Sequence, residues 1–249
     1  MRIDVVFGPG AATPALVSGR AVAVIDVLRA STTIAAALHH GARTVIPLES
    51  ADEVITRSKQ LDRAEVILAG ERRMLAIEGF DLGNSPLEFT KERVEGKTVL
   101  LTTTNGTAAF AGLSGAREVV VAAYVNFSAV TRALRQASKQ GADVTIICAG
   151  RERLFSLEDA ACAGRYVKAL MVRRSTPAVL GDGALACLLV DRRYGENITR
   201  LFGDAEHGRA LGEAGFGEDL AACGAIDAYP VVPVYQERQI TAMAPARGR

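Results

Sequence analysis

The sequence contains no tryptophan, and aromatic residues make up only 5% of its 249 positions. Surfaces that stack nucleic-acid bases are built from aromatic rings, so this shortage argues against a single-strand binder. An excess of one charge is also missing: 29 basic residues face 28 acidic ones, for a net charge of +1. That balance provides no global field to attract nucleic acid or anionic lipid. The longest apolar run, 119–125, is far short of the ~20 residues that span a bilayer. The opening MRIDVVFGPG places Asp4 inside an apolar stretch and Pro9 behind it, and reads as a strand and turn, not a signal peptide. Cys148, Cys162, Cys187 and Cys223 show no CxxC or other metal-ligand spacing. They read as reduced, buried thiols, with a cytoplasmic location expected. Only three histidines occur: His39 and His40 are adjacent, and His207 lies in a polar helical stretch where solvation is expected. Any chemistry is therefore expected from carboxylates, hydroxyls and guanidiniums.

What is present is an ordinary globular composition, 49% hydrophobic and 23% charged. The length fits one large domain or two small ones, and is enough for a core without disulfide or metal staples. Short β-branched runs at 22–25, 44–47, 66–69, 98–101, 119–123 and 144–148 read as strands covered on both faces. Between them, 32–40, 51–61, 107–113, 128–140 and 157–171 read as helices. Gly41, Gly115 and Gly141 follow three of these, where a left-handed cap is wanted. The alternation predicts an α/β fold with a largely parallel or mixed sheet layered by helices. Self-similar stretches, such as Gly41-Ala42-Arg43 against Gly115-Ala116-Arg117, fit two βαβαβ halves over 1–90 and 91–172. They fit equally well unrelated βα units that share a pattern. A helical tail, 173–249, ends in a Pro-bounded strand at 231–234 and is expected to pack on the body, giving one unit over 1–249. The segment 71–97 is the long irregular stretch, of the kind that is either functional or mobile.

Polar residues repeatedly follow the strands, where open α/β sheets bind ligands. Asp26 follows the first buried strand, with Arg29 three residues on and Ser31, Thr32 and Thr33 behind it. Gly70-Glu71-Arg72-Arg73 again sets a carboxylate beside guanidiniums. Thr102-Thr103-Thr104-Asn105-Gly106-Thr107 combines hydroxyls, a glycine and free amides at a helix start, which fits an anion site or an elaborate helix cap. Gly150-Arg151-Glu152-Arg153 precedes Ser156-Leu157-Glu158-Asp159, which reads first as a capping box. Glu78 to Pro86 carries Asp81 and Asn84 among turn residues. Cys148 with Arg153 lacks the five-residue spacing of a cysteine-phosphatase loop, and Leu28 stands where a haloacid-dehalogenase motif needs its second Asp. The glycine pattern at 181–186 is a weak dinucleotide signal without a βα continuation.

IDVLRASTTIAAAL, GERRMLAIEGFDLGNSPLEFT, GKTVLLTTTNGTAAF, the ICAG turn and FSLEDAACAG together resemble the 2-phosphosulfolactate phosphatase family. The tail is similar too, in Gly217-Glu218-Asp219-Leu220 before Cys223, in Asp227 and in Val232-Pro233. The resemblance implies a magnesium-dependent acid phosphatase that converts 2-phospho-3-sulfolactate to sulfolactate and phosphate on a route to coenzyme M. It implies Asp26, Glu71, Asp81 and Glu158 as Mg²⁺ ligands, with Asp159 in reserve. Asp26, Arg29 and Glu71 are the expected catalytic residues, and Arg29, Arg72, Thr103, Thr104, Asn105, Gly106, Thr107 and Asn126 the expected substrate contacts. Arg73-Met74 departs from the small residues expected there. The nucleophile is either water or Asp26, with water preferred because an Asp committed to a cation attacks poorly. The partner implied is a small anionic substrate; a homo-oligomer is compatible with the sequence. The competing readings are a phosphatase for another anionic phosphomonoester and a non-catalytic binder of such a metabolite.

Overall fold

A computed structural model describes residues 1–110, 112–152, 154–172, 177–195 and 197–244. Arg153 and the side chain of Thr107 lie outside what is described. The strands in chain order are β1 (Arg2–Phe7), β2 (Ala21–Ile25), β3 (Thr44–Pro47), β4 (Val66–Arg72), β5 (Leu75–Ala76) and β6 (Thr98–Thr102). They continue with β7 (Glu118–Ala122), β8 (Val144–Cys148), β9 (Val179–Leu180), β10 (Pro233–Gln236) and β11 (Gln239–Ala242). The helices are α1 (Pro14–Val17), α2 (Ala30–His39), α3 (Ala51–Ser58), α4 (Lys91–Val94) and α5 (Phe127–Lys139). Then come α6 (Leu157–Met171), α7 (Asp182–Tyr194), α8 (Ile198–Asp204), α9 (Glu206–Glu213) and α10 (Gly217–Gly224).

Among the described residues the strands form one sheet in the order β5-β4-β6-β3-β11-β10-β7-β2-β8-β1-β9. It is mixed, within the predicted α/β class. One parallel group is β4, β6 and β3; the other is β7, β2, β8, β1 and β9. Strands of the two similar sequence stretches interleave, since β2 lies beside β7 and β8, and β6 beside β3 and β4. The tail hairpin β10–β11 joins the two groups, pairing antiparallel with β7 at Val234 and with β3 at Ile240. The groups therefore run in opposite directions. In a flat sheet their carboxyl ends would lie at opposite edges. The loop after β2 and α2 nevertheless contact the loops after β4 and β6, so these ends meet in the structure.

The apolar strands are explained by cover on both faces. In β2, Ala21, Ala23 and Ile25 join one core cluster, while Val22 and Val24 join the other. Small residues set how closely the helices stack. A Cβ on Gly164 of α6 would come within 2.0 Å of the Cys187 carbonyl of α7. Gly183 of α7 sits equally tight on β1, where a Cβ would meet the Val5 carbonyl at 2.1 Å. The glycines at 181–186 thus serve packing. The helix expected over 107–113 is instead a 3-10 turn, Gly106–Phe110, and Gly112 beyond it is left-handed (φ 77°), a conformation that does not continue a helix.

Candidate active site

Asp26 stands one residue beyond β2 and is buried. Its amide donates to Ser31 Oγ at 2.9 Å, and its Oδ1 accepts from the Ala30 amide at 3.2 Å. Burial pushes its carboxyl up to about 6. The charges of Glu71 and Glu158 push the same way, while His207 and the Ala30 N–H oppose. Gly106 lies against it: a Cβ there would come within 2.7 Å of Asp26 Oδ2 and 2.4 Å of the Ala30 methyl. Only glycine lets the loop after β6 approach this carboxylate so closely.

Glu71, near the end of β4, faces the same loop. Its Oε1 accepts from the Thr104 amide at 2.7 Å, and its Oε2 from the Met74 amide at 2.8 Å and Thr104 Oγ1 at 3.2 Å. Arg29 is buried, with Nη1 on Asp219 Oδ2 at 2.7 Å and Nη2 donating to the Met74 carbonyl at 2.8 Å. Its guanidinium lies 4.3 Å from the centroid of the Phe216 ring. Asp219 Oδ1 accepts from Ser85 Oγ at 2.6 Å, so one carboxylate of α10 ties both Arg29 and the 78–86 loop to the tail.

Asp26, Arg29, Glu71, Thr103, Thr104 and Asn105 line one cavity of about 250 Å³. Arg73, Met74, Asn84, Arg151 and His207 are also in its wall. Glu158, in the first turn of α6, is buried, and its Oε1 lies 3.3 Å from His207 Nδ1. Asp159 is spent on backbone instead, with Oδ1 accepting from the Val27 amide at 2.9 Å and Oδ2 from the Gly150 amide at 3.0 Å. It thereby pins the loops after β2 and β8 to each other. Burial, together with Asp26 and Glu158, raises its carboxyl well above the usual range.

Three sequence-predicted residues are placed elsewhere. Asp81 pairs with Arg63 at 2.5 Å and accepts from the Leu68 amide at 2.8 Å, so its carboxylate fastens the 77–82 loop along β4. Arg72 points opposite to Glu71 by strand alternation and donates to Thr102 Oγ1 at 3.0 Å and the Glu71 carbonyl at 2.8 Å. Asn126 is buried in the turn after β7, accepting from the Ala123 amide at 2.9 Å and donating to the Val121 carbonyl at 3.0 Å. Each of these side chains satisfies local backbone or a local charge.

Sequence reasoning missed His207, Asp219, Arg151 and Arg73. His207 was expected to be solvated, yet its side chain is only 14% exposed because α9 carries it onto Glu158. Asp219 reads in sequence as a first-turn acid at a helix N-terminus, and nothing local marks it as the partner of Arg29. Arg151 pairs with Glu206 at 2.6 Å. For Arg73 a signal is present in the sequence, since a bulky cation stands next to Glu71 where small residues are expected.

Comparison with known proteins places the arrangement. The family model described as 2-phosphosulpholactate phosphatase matches residues 11–238. A protein of Caldanaerobacter subterraneus subsp. tengcongensis is 41% identical over 212 residues, covering 85% of this chain and 86% of its own length. One of Symbiobacterium thermophilum is 39% identical over 223 residues, covering 90% and 94%. One of Clostridium beijerinckii is 35% identical over 243 residues, covering 97% and 99%. All three carry the name "Probable 2-phosphosulfolactate phosphatase". The motifs that line the cavity fall inside the matched span, and the chain belongs to the 2-phosphosulfolactate phosphatase family.

Proposed function

We propose that this chain is a Mg²⁺-dependent phosphatase that hydrolyses 2-phospho-3-sulfolactate to 3-sulfolactate and phosphate. Family membership supports phosphoric monoester hydrolysis. The observation that carries the reading is Asp26, a buried carboxylate with Glu71 and Glu158 in its field and the Gly106 backbone against it. Carboxylates crowded beside amides and hydroxyls form a site for a cation and an anion together.

The donor chemistry fits Mg²⁺. Carboxylate oxygen is the ligand this ion prefers, and a cation relieves the repulsion among Asp26, Glu71 and Glu158. Among the described residues no three His, Cys, Asp or Glu side chains group closely enough to hold one ion. That suits an ion held by one or two carboxylates, waters and phosphate oxygens. Asp26 and Glu158, the latter close enough to act on the Asp26 charge, would be the side chains to hold it. When bound, the ion would neutralise charge on the transferring phosphoryl group.

The chain's own groups supply the rest. Thr103 and Asn105 line the cavity wall, where a hydroxyl and a side-chain amide can meet phosphate oxygens. Glu71 holds the Thr104 amide and hydroxyl in place through its two oxygens. Arg29, fixed by Asp219, adds positive charge. With the cation bound, Asp26 would be held as the carboxylate and would orient the attacking water by accepting a hydrogen bond from it. The test is phosphate release from 2-phospho-3-sulfolactate with Mg²⁺, with chelator, and with chelator followed by Mg²⁺. Release that survives the chelator removes the metal; no release under any condition removes the substrate.

A further inference from the structure

Arg73 sits at the tip of the β4–β5 hairpin. The register pairs Glu71 with Ala76 and Arg72 with Leu75, which leaves Arg73 and Met74 as a two-residue turn. Both are left-handed, with φ of 51° and 72°. Turns of this kind favour Asn and Gly, because a side chain with positive φ is strained. The β10–β11 turn carries the same strain at Glu237 and Arg238, so what sets Arg73 apart is its place beside the candidate active site.

The turn is fastened to the site from both sides. The Met74 amide donates to Glu71 Oε2 at 2.8 Å, and the Met74 carbonyl accepts from Arg29 Nη2 at 2.8 Å. Arg73 is therefore held at the cavity by groups that themselves line it. The cavity wall holds three arginines. Arg29 is committed to buried Asp219, while Arg151 meets only Glu206, whose side chain is 79% exposed. Among the described residues, Arg73 has no carboxylate partner. Arg73 is exposed, so its charge is free to meet a ligand at the cavity mouth, and the cost at this position lies in the left-handed turn that holds it there.

Resting on the proposed function, we infer that Arg73 is a specificity-determining residue. It binds an anionic group on a carbon next to the one that carries the phosphate ester. The substrate offers two such groups, sulfonate and carboxylate, and both suit a forked guanidinium. The phosphate itself is left to the Thr103–Thr104 side of the cavity.

The experiment compares the full chain with Arg73→Asn, a residue that tolerates left-handed backbone and so protects the fold. Calorimetry with 3-sulfolactate, lactate (no sulfonate) and isethionate (no carboxylate) reads binding without turnover. The variant is expected to lose about 10-fold or more in affinity for 3-sulfolactate. It is expected to lose nothing for whichever analogue lacks the group Arg73 holds, which tells sulfonate from carboxylate. Equal 3-sulfolactate binding by both proteins, no binding by either, or the same loss for all three ligands overturns the inference. Failure of the phosphatase reading appears separately, as absent phosphate release from wild type that still binds 3-sulfolactate.

Discussion

Glu71 and Thr104, 33 positions apart, are joined twice: the Thr104 amide lies 2.7 Å from one carboxylate oxygen and its hydroxyl 3.2 Å from the other. The acid of β4 thus sets the shape of the loop that follows β6. Glu71→Gln keeps a carbonyl for the amide but offers an NH₂ to the second set of donors, the Met74 amide and Thr104 hydroxyl. We expect kcat to fall about 100-fold or more, the loss seen when a preorganised polar group is misaligned, with an unchanged circular dichroism spectrum. Retained kcat would show that the loop holds its shape without the carboxylate.

Asp26 separates stability from activity. Its carboxyl is pushed up to about 6 by burial, against the opposing pull of His207. Between the unfolded value near 3.9 and this folded value, the native state binds more protons than the unfolded state. The metal-free protein therefore loses stability as pH rises through that window. Asp26→Asn removes the buried charge and keeps an oxygen for the Ala30 amide. In chelator at pH 7 it should unfold later in urea than wild type, by about 1–3 kcal/mol, while turnover with Mg²⁺ is almost abolished. A variant that unfolds earlier would mean Asp26 is charge-compensated in the free protein.

Much of this was legible in sequence wherever the signal is local. Strands such as β2 and β8 are apolar throughout because both faces are covered, and Asp26, Glu71 and Thr103 follow or end strands whose carboxyl ends converge. What local patterning does not carry is register and long-range packing. The hairpin β10–β11 joins the two strand groups through tail residues whose sequence signal is one short run between prolines. His207 reads as a solvated helix residue, and Asp219 only as part of a family-like tail segment, since their partners Glu158 and Arg29 lie 49 and 190 positions away. Asp81 and Asn126 show the reverse: residue types suited to ligands were consumed by nearby backbone.

The Arg29–Asp219 pair makes the tail part of the site. Both side chains are almost fully buried, at 2% and 4% exposure. Removing one member of a buried pair leaves an uncompensated charge. Asp219→Ala should therefore destabilise the protein by about 3–5 kcal/mol. It also frees Ser85, so proteolysis within the 78–86 loop should quicken. Asp219→Asn keeps the packing and an acceptor and should cost less, while still raising KM because Arg29 is held less firmly. If Asp219→Ala unfolds at the wild-type urea midpoint, the pair does not secure α10 to the body.

Asp4 gives a pH signature far from the cavity. Burial alone would raise its carboxyl, but hydrogen bonds from Arg2 and Arg20, with Arg20 Nη1 at 2.7 Å, hold it below the ordinary range. A lowered folded value means that its contribution is complete above the unfolded value near 3.9. The contribution is lost as pH falls through the folded value, where the native state takes up the proton. Arg20→Ala should cost about 1–2 kcal/mol at pH 7, and the acid-unfolding midpoint should rise. The gap between variant and wild type should narrow as acidification protonates Asp4 in both. Urea titrations at a series of pH values read this directly. A gap that stays constant down to the acid transition would assign the role of Arg20 to packing of its aliphatic stem, with no part for the charge on Asp4.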